Sequence, residues 1–337
     1  MQPFPQTARQ TRKQEFDNAG QNVMVERVAI TKGLWFLLER QSSDGAWRDF
    51  ALEPGTSDAW TTAYIAGCLS QVTEGDESIE ISSALRSAAH WLTTAMRPDG
   101  GWGYNANAPV DSDSTALAIL FLSTIIDVFV PAKSYERLTR FQNDDGGFAT
   151  FERAGASNTW GMSHPDVTPT ALRALLTRFS WDDAIVRRGL AHSRATLNEE
   201  HLWDSYWWTT PLYATLANIR LLEEGQISYD RQNVLRAVRD LPISTNVFEV
   251  ALRGEILGMI DRANPRLIQI RDYLKDAQHP DGKWRANSPI LRVTDPRCRT
   301  PWREANAGLL VSDPHNLFTT ATVLHSLRRI MDPPLLG

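Results

Sequence analysis

Two carboxyls stand two residues apart in Asp111-Ser112-Asp113-Ser114, and an apolar run from Ala116 to Leu122 follows them. A carboxylate beside a carboxylic acid raises its pKa by like-charge repulsion, while hydrogen bonds to the conjugate base make the acid stronger. Such a pair can hold a proton and deliver it to a weak base placed against it. Aspartate and serine also cap helix N-termini, so plain capping is the competing reading of both residues. The chain is rich in rings, with 12 Trp, 12 Phe and 7 Tyr. Aromatic faces stabilise a desolvated cation by about 2 kcal/mol each without offering it a strong nucleophile. Trp60, Tyr104, Trp160, Trp207, Trp208 and Phe248 fall at helix starts or in the loops before them. Each could equally be core.

Two further constellations bear on chemistry. Arg285, Arg292, Arg297, Arg299 and Arg303 crowd one loop, and guanidinium groups suit a diphosphate. A solvated basic loop is the plain alternative. Asp295, Cys298 and His315 come in the order of a zinc set that would ionise a thiol nucleophile. Their Asp-Pro-Arg-Cys spacing is wider than the Asp-x-Cys of zinc-dependent prenyltransferases. No P-loop, dinucleotide fingerprint or Asp-Asp-x-x-Asp magnesium motif occurs.

The elements that must position these residues repeat. Gln41-Ser-Ser-Asp-Gly-Ala-Trp47, Met96-Arg-Pro-Asp-Gly-Gly-Trp102, Gln142-Asn-Asp-Asp-Gly-Gly-Phe148 and Gln278-His-Pro-Asp-Gly-Lys-Trp284 share one design, and a degenerate copy lies near Glu199 to Trp203. Each reads as a helix end, an Asp-Gly turn and an aromatic packing back across it. Between them, helical periodicity predicts segments near 29–41, 59–71, 81–96, 113–126, 133–142, 167–178, 182–196, 209–223, 228–239, 244–258, 264–277 and 316–330. No strand-like alternation competes. Twelve helices make six hairpins, an all-α (α/α)6 double barrel with inner and outer helices alternating. The turns follow outer helices, so Trp60-Thr-Thr, Asp113-Ser-Thr, Asp166-Val-Thr168, Tyr213-Ala-Thr215, Asn246-Val-Phe248 and His315-Asn-Leu-Phe318 all open inner helices at one mouth.

The Gln-x-x-x-Gly-x-Trp turns resemble the QW repeats of squalene–hopene cyclases and related class II terpene cyclases. Pro98-Asp-Gly-Gly-Trp-Gly-Tyr104 followed by Asp111-Ser-Asp113-Ser-Thr-Ala116 resembles that family's Gly-Gly-aromatic turn and Asp-x-Asp-Asp-Thr-Ala motif. Pro165-Asp166-Val-Thr168, Trp207 to Thr215 and Trp60-Thr-Thr62 are similar to three further family segments, so the match runs from about residue 30 to 330. The resemblance implies protonation-initiated cyclisation of a linear isoprenoid or prenylated substrate. Asp113 is then the general acid and Asp111 its neighbouring carboxylate. Ser114, which replaces the family's last aspartate, would bond Asp113. His164 would hydrogen-bond and orient the acid, Tyr213 would hold a water beside it, and Trp60, Tyr104 and Trp207 match family aromatics. This chain has one barrel where most class II cyclases have two helical domains. A zinc-dependent prenyltransferase β-like subunit and a non-catalytic binding module on the same barrel are the alternatives.

Composition fits this. The net charge of −5 argues against a nucleic-acid partner. Cys68 and Cys298 suggest no disulfide framework and fit a cytoplasmic setting. No run approaches the roughly 20 apolar residues of a membrane span, and residues 1–25 lack the apolar stretch of a signal peptide. Residues 1–25 are expected as a flexible arm and 26–337 as the single barrel. No cofactor is required, with Mg reserved for a diphosphate substrate and Arg297 as its contact. A homodimer, a partner subunit and peripheral membrane contact are compatible with one open mouth.

Overall fold

The computed structural model describes residues 27–71, 78–152 and 158–331. The expected arm, 1–25, lies outside them. Twelve helices appear among the described residues: α1 (27–39), α2 (Ala59–Leu69), α3 (Ser78–Ala95), α4 (Ser112–Leu122), α5 (Ala132–Thr139), α6 (Thr168–Leu176), α7 (Ala184–Ala195), α8 (Pro211–Glu224), α9 (Arg231–Asp240), α10 (Val247–Ile260), α11 (Arg266–Asp276) and α12 (Leu317–Met331). The even-numbered helices form a closed ring, each packing on the next and α12 returning to α2. They are buried nearly all round, as in α10 and α12, which is the signature of a helix with no solvent face. Outer helices are amphipathic: α9 buries only Val234 and Val238, and α11 only Ile270 and Leu274.

The turns lock the two rings together. Gly45, Gly100, Gly146 and Gly282 take φ of 96°, 93°, 87° and 96°, the left-handed region open to glycine. In the fifth turn His201 takes that place at φ 59°. Each turn tryptophan donates its indole N–H to a carbonyl of the preceding outer helix: Trp47 to Leu37, Trp102 to Leu92, Trp203 to Ser193 and Trp284 to Leu274, at 2.6–2.8 Å. The backbone N–H of the aromatic then bonds a threonine of the next inner helix. The pairs are Trp47–Thr62, Trp102–Thr115, Phe148–Thr168, Trp203–Thr215 and Trp284–Thr320, at 2.9–3.1 Å. The turn glutamines tie neighbouring repeats. Gln41 reaches Ala84, Gln142 reaches Ile185, and Gln278 reaches Ala29, which closes the outer ring from last repeat to first.

The expectation of no strands needs correction. Asp49–Leu52 (β1) pairs antiparallel with Gly55–Ser57 (β2), and Leu291–Thr294 (β3) with Gly308–Val311 (β4). Strands of three or four residues are too short for alternation to register. Both hairpins lie in loops between a turn motif and an inner helix, and so at the mouth.

The opposite end gathers the C-termini of the inner helices, where cations are favoured by the helix dipoles. Arg220 contacts Glu255 at 2.7 Å, and His325 closes the group at 2.9 Å. Burial alone would raise the Glu255 carboxyl, but Arg220 and His325 hold it well below the usual range. Arg173, Arg220 and Arg329 line a cavity of about 250 Å3 at this end, away from the acidic motif.

Candidate active site

The threonine lock fixes the rotation of five of the six inner helices, and the residue two positions before each locked threonine faces the mouth axis. Around the ring these residues are Trp60, Asp113, Asp166, Tyr213 and Phe318, with Phe248 completing it on α10. The ring holds two carboxyls and four aromatics. Ring stacking links the aromatics: Trp60 lies 5.1 Å from Phe318, Trp208 3.9 Å from Tyr213 and 5.4 Å from Phe248, and Trp60 6.1 Å from both Tyr104 and Trp208. Phe50 and Tyr64 join through Trp60 and Phe318.

Asp111 and Asp113 have different employments. Asp111 is the N-cap of α4, accepting from Ser114 N–H at 2.6 Å and Ser114 Oγ–H at 2.7 Å. Asp113 caps nothing. Its Oδ2 accepts from the Trp60 indole at 3.1 Å. Burial raises both carboxyls, Asp111 to about 6, where the Ser114 donors oppose the rise, and Asp113 to about 7, where the Asp111 charge adds to it and the Trp60 bond opposes it. Burial thus holds both carboxyls above their ordinary range, and the two titrate as a coupled pair.

Asp166, placed at the mouth in the sequence but not among its candidate site residues, is buried with Oδ2 bound to Trp207 N–H at 2.8 Å and Oδ1 without a partner. Burial pushes it up to about 7, and the Asp113 charge contributes. Tyr213 is pushed well above its ordinary range by burial and then by Asp113. Phe318 was likewise missed as a site member. Its Phe-Thr-Thr320 repeats the Trp-Thr-Thr62 pattern, which was the available signal.

Two expectations are corrected. The Ser114 hydroxyl bonds Asp111, not Asp113, because an N-cap carboxylate three residues earlier is its nearest acceptor. His164 does not bond Asp113. It stacks on Tyr206 at 3.9 Å with Nε2 unpartnered, and burial lowers it to about 3. Trp160 and Trp207 form a second cluster with Phe151, Tyr206 and His164, and Trp207 bonds Thr150 Oγ1 at 2.7 Å. Arg297 is an exposed residue paired with its own neighbour Asp295 at 2.8 Å. Among the described residues, no three His, Cys, Asp or Glu side chains gather as metal ligands.

No family model matches the chain. Over 206 residues, 54% of this chain, it is 25% identical to the squalene–hopene cyclase of Bradyrhizobium diazoefficiens, the match covering 30% of that protein. Over 225 residues, 58% of this chain, it is 28% identical to the drimenyl diphosphate synthase of Streptomyces showdoensis, covering 40% of it. The matches therefore take in less than half the length of these curated relatives. The structure of the type II terpene cyclase MstE from Scytonema, in complex with geranylgeranyl dihydroxybenzoate, superposes with a TM-score of 0.78 at 22% identity, over 91% of this chain and 97% of that one. The fold is that of the type II terpene cyclases. The superposition runs over nearly all of both chains, so a type II terpene cyclase is also built on one such barrel.

Within this type II terpene cyclase fold the buried carboxyls carry a stability consequence. Asp113, Asp166 and Asp313 sit near 7, each raised first by burial. A carboxyl whose folded pKa is raised binds its proton more tightly folded than unfolded, so its stabilisation is lost as pH rises through the folded value. Lowered histidines such as His164 act oppositely, and at their ordinary value of 6.5 they are still half protonated in the unfolded chain. Between pH 6.5 and 8 the three carboxyls outweigh them, and the denaturation midpoint in urea should fall, equivalent to about 1 kcal/mol net. A midpoint that rose over this interval would contradict these assignments.

Proposed function

We propose that the protein is a protonation-initiated terpene cyclase acting on a linear isoprenoid or a prenylated substrate, with Asp113 as general acid. The observation that carries this is Asp113 itself. It is a half-buried carboxyl raised to about 7, not engaged as a cap, held by one indole N–H and placed at the face of a stacked aromatic cluster. The relatives' names, a squalene–hopene cyclase, a drimenyl diphosphate synthase and a terpene cyclase bound to geranylgeranyl dihydroxybenzoate, point the same way.

In the proposed reaction the terminal alkene of the substrate takes the proton from Asp113. Its π electrons form the new C–H bond and leave a tertiary cation. The Trp60 N–H already on Oδ2 stabilises the carboxylate left behind, a preorganised donor that need not move. The next alkene attacks the cation, ring closure repeats, and the last cation gives a proton to solvent or a base. Trp60, Trp208, Tyr213, Phe248 and Phe318 offer π-faces to the migrating charge. The proton comes from the protein and returns to solvent, so the product is an isomer of the substrate, and the chemistry calls on no metal.

Incubation of the purified protein with linear isoprenoids as alcohols, diphosphates and prenylated benzoates tests this. A product of unchanged mass with fewer alkenes and new rings is expected, formed more slowly as pH rises above about 7. Loss of the head group as the first event would replace the mechanism with ionisation.

A further inference from the structure

A substrate has to lie against the π-faces of the mouth ring, and in this structure one side chain already does. Trp208 stacks on Tyr213 at 3.9 Å, on Phe318 at 5.2 Å and on Phe248 at 5.4 Å, and leans on Trp60 at 6.1 Å. All the aromatic members of the ring thus pack against its indole. Trp208 is 2% exposed, and Phe248 and Phe318 are fully covered. No chain can touch those faces while the indole stands there.

Trp208 is also the ring least tied to the barrel. It lies in the loop before α8 and not on an inner helix. The indoles of Trp60, Trp160 and Trp207 donate to Asp113 Oδ2, Thr294 O and Thr150 Oγ1. That of Trp208 meets no acceptor among the described residues. Tyr64, which stacks on Phe318 at 3.7 Å, is by contrast carried by α2 and tied through its hydroxyl to Thr322. The backbone on both sides of Trp208 is held, Trp207 O accepting from Arg292 N–H at 2.6 Å and Thr209 N–H donating to Ile290 O at 3.0 Å. What is free to turn is the side chain, between the rotamers of its own χ angles. Beside it lies a cavity of about 340 Å3 whose wall includes Trp208, Leu202, Pro211, Glu200 and Asp204. This cavity has room for an indole, and its two carboxyls are acceptors of the kind the indole N–H lacks in the ring. We infer that Trp208 sets the size of the substrate seat: its indole fills the seat, swings into the neighbouring cavity to admit the chain, and becomes the wall on that side. The inference rests on reading the ring as the cyclisation site.

The test is calorimetric binding of hexahydrofarnesol, a saturated isoprenoid alcohol with no alkene to protonate, to wild type, Trp208→Leu and Trp208→Ala. The alanine variant should bind it about tenfold tighter than wild type, the factor for a seat open in about a tenth of wild-type molecules, with the leucine variant between them. Free indole should bind the alanine variant and not wild type, and should compete with the alcohol for one seat. The binding rate in wild type should level off at high alcohol concentration, where the swing limits it, and keep rising in the alanine variant. Equal or weaker binding by both variants would overturn the inference, as would indole and the alcohol binding together, or no binding of the alcohol at all. Should alanine unfold the ring, the leucine variant and wild type decide: no gain in affinity in the first, or a rate that rises linearly in the second, overturns it. The expected binding pattern in a protein that cyclises no isoprenoid would support the seat and remove the cyclase reading, so the two failures are distinguishable.

Discussion

Replacing Asp113 by asparagine should abolish turnover, by a factor of 10³ or more on the order expected for removing a positioned acid and its proton, while leaving the barrel folded. Asparagine keeps the volume and can still accept from the Trp60 indole through its amide oxygen. It cannot donate a proton to an alkene. It also removes a half-buried acid whose raised pKa costs stability when ionised. A shift from 3.8 to about 7 corresponds to roughly 4 kcal/mol at 1.36 kcal/mol per unit, and partial solvent access at Asp113 reduces this to about 1–3 kcal/mol. The variant should therefore melt higher than wild type at pH 8, by a margin that shrinks as the pH falls from about 7 toward 4. An inactive variant that was also unfolded would leave the acid role unsupported. An active one would remove it.

The second large effect concerns the repeat. Trp284→Ala should destabilise the protein by about 3–5 kcal/mol, the range for emptying a buried aromatic site. Trp284 is fully buried, its indole N–H holds the Leu274 carbonyl, and its ring edge lies where a side chain on Gly33 would stand, 2.6 Å from the position of an added Cβ. Together with Gln278 on Ala29 it joins the last turn to the first helix. Truncation opens the ring at its seam and leaves a buried carbonyl unpaired. Trp284→Phe should cost much less, because the third repeat carries Phe148 in the same place without an indole hydrogen bond. Urea denaturation of both variants checks this, and an alanine variant within 1 kcal/mol of wild type would show that the turns do not hold the barrel.

The parts legible in the sequence are those whose causes are local. An Asp-Gly turn needs glycine at positive φ, and Gly45, Gly100, Gly146 and Gly282 all stand there. The repeated X-x-Thr pattern at inner-helix starts marked the mouth because the threonine bonds the turn aromatic in five of the six repeats. What stayed hidden depends on competition between partners. Ser114 had two carboxylates within reach, and capping geometry gave it to Asp111. His164 is held by Tyr206, far along the chain, where stacking excludes a bond to the acid. Among five loop arginines, Arg297 satisfies itself on Asp295, whereas the β3–β4 register carries Arg292 inward. The register of two four-residue strands is a tertiary result that no periodicity announces.

The central claim is that the first bond made is a C–H bond whose hydrogen comes from Asp113, an acid in exchange with solvent. The reaction should therefore be run in deuterated water with whichever substrate the protein accepts, and the cyclic product examined by mass spectrometry and NMR. One deuterium at the carbon of the former terminal alkene, absent from the substrate recovered alongside it, is the predicted result. A cyclic product with no deuterium at that carbon would contradict it.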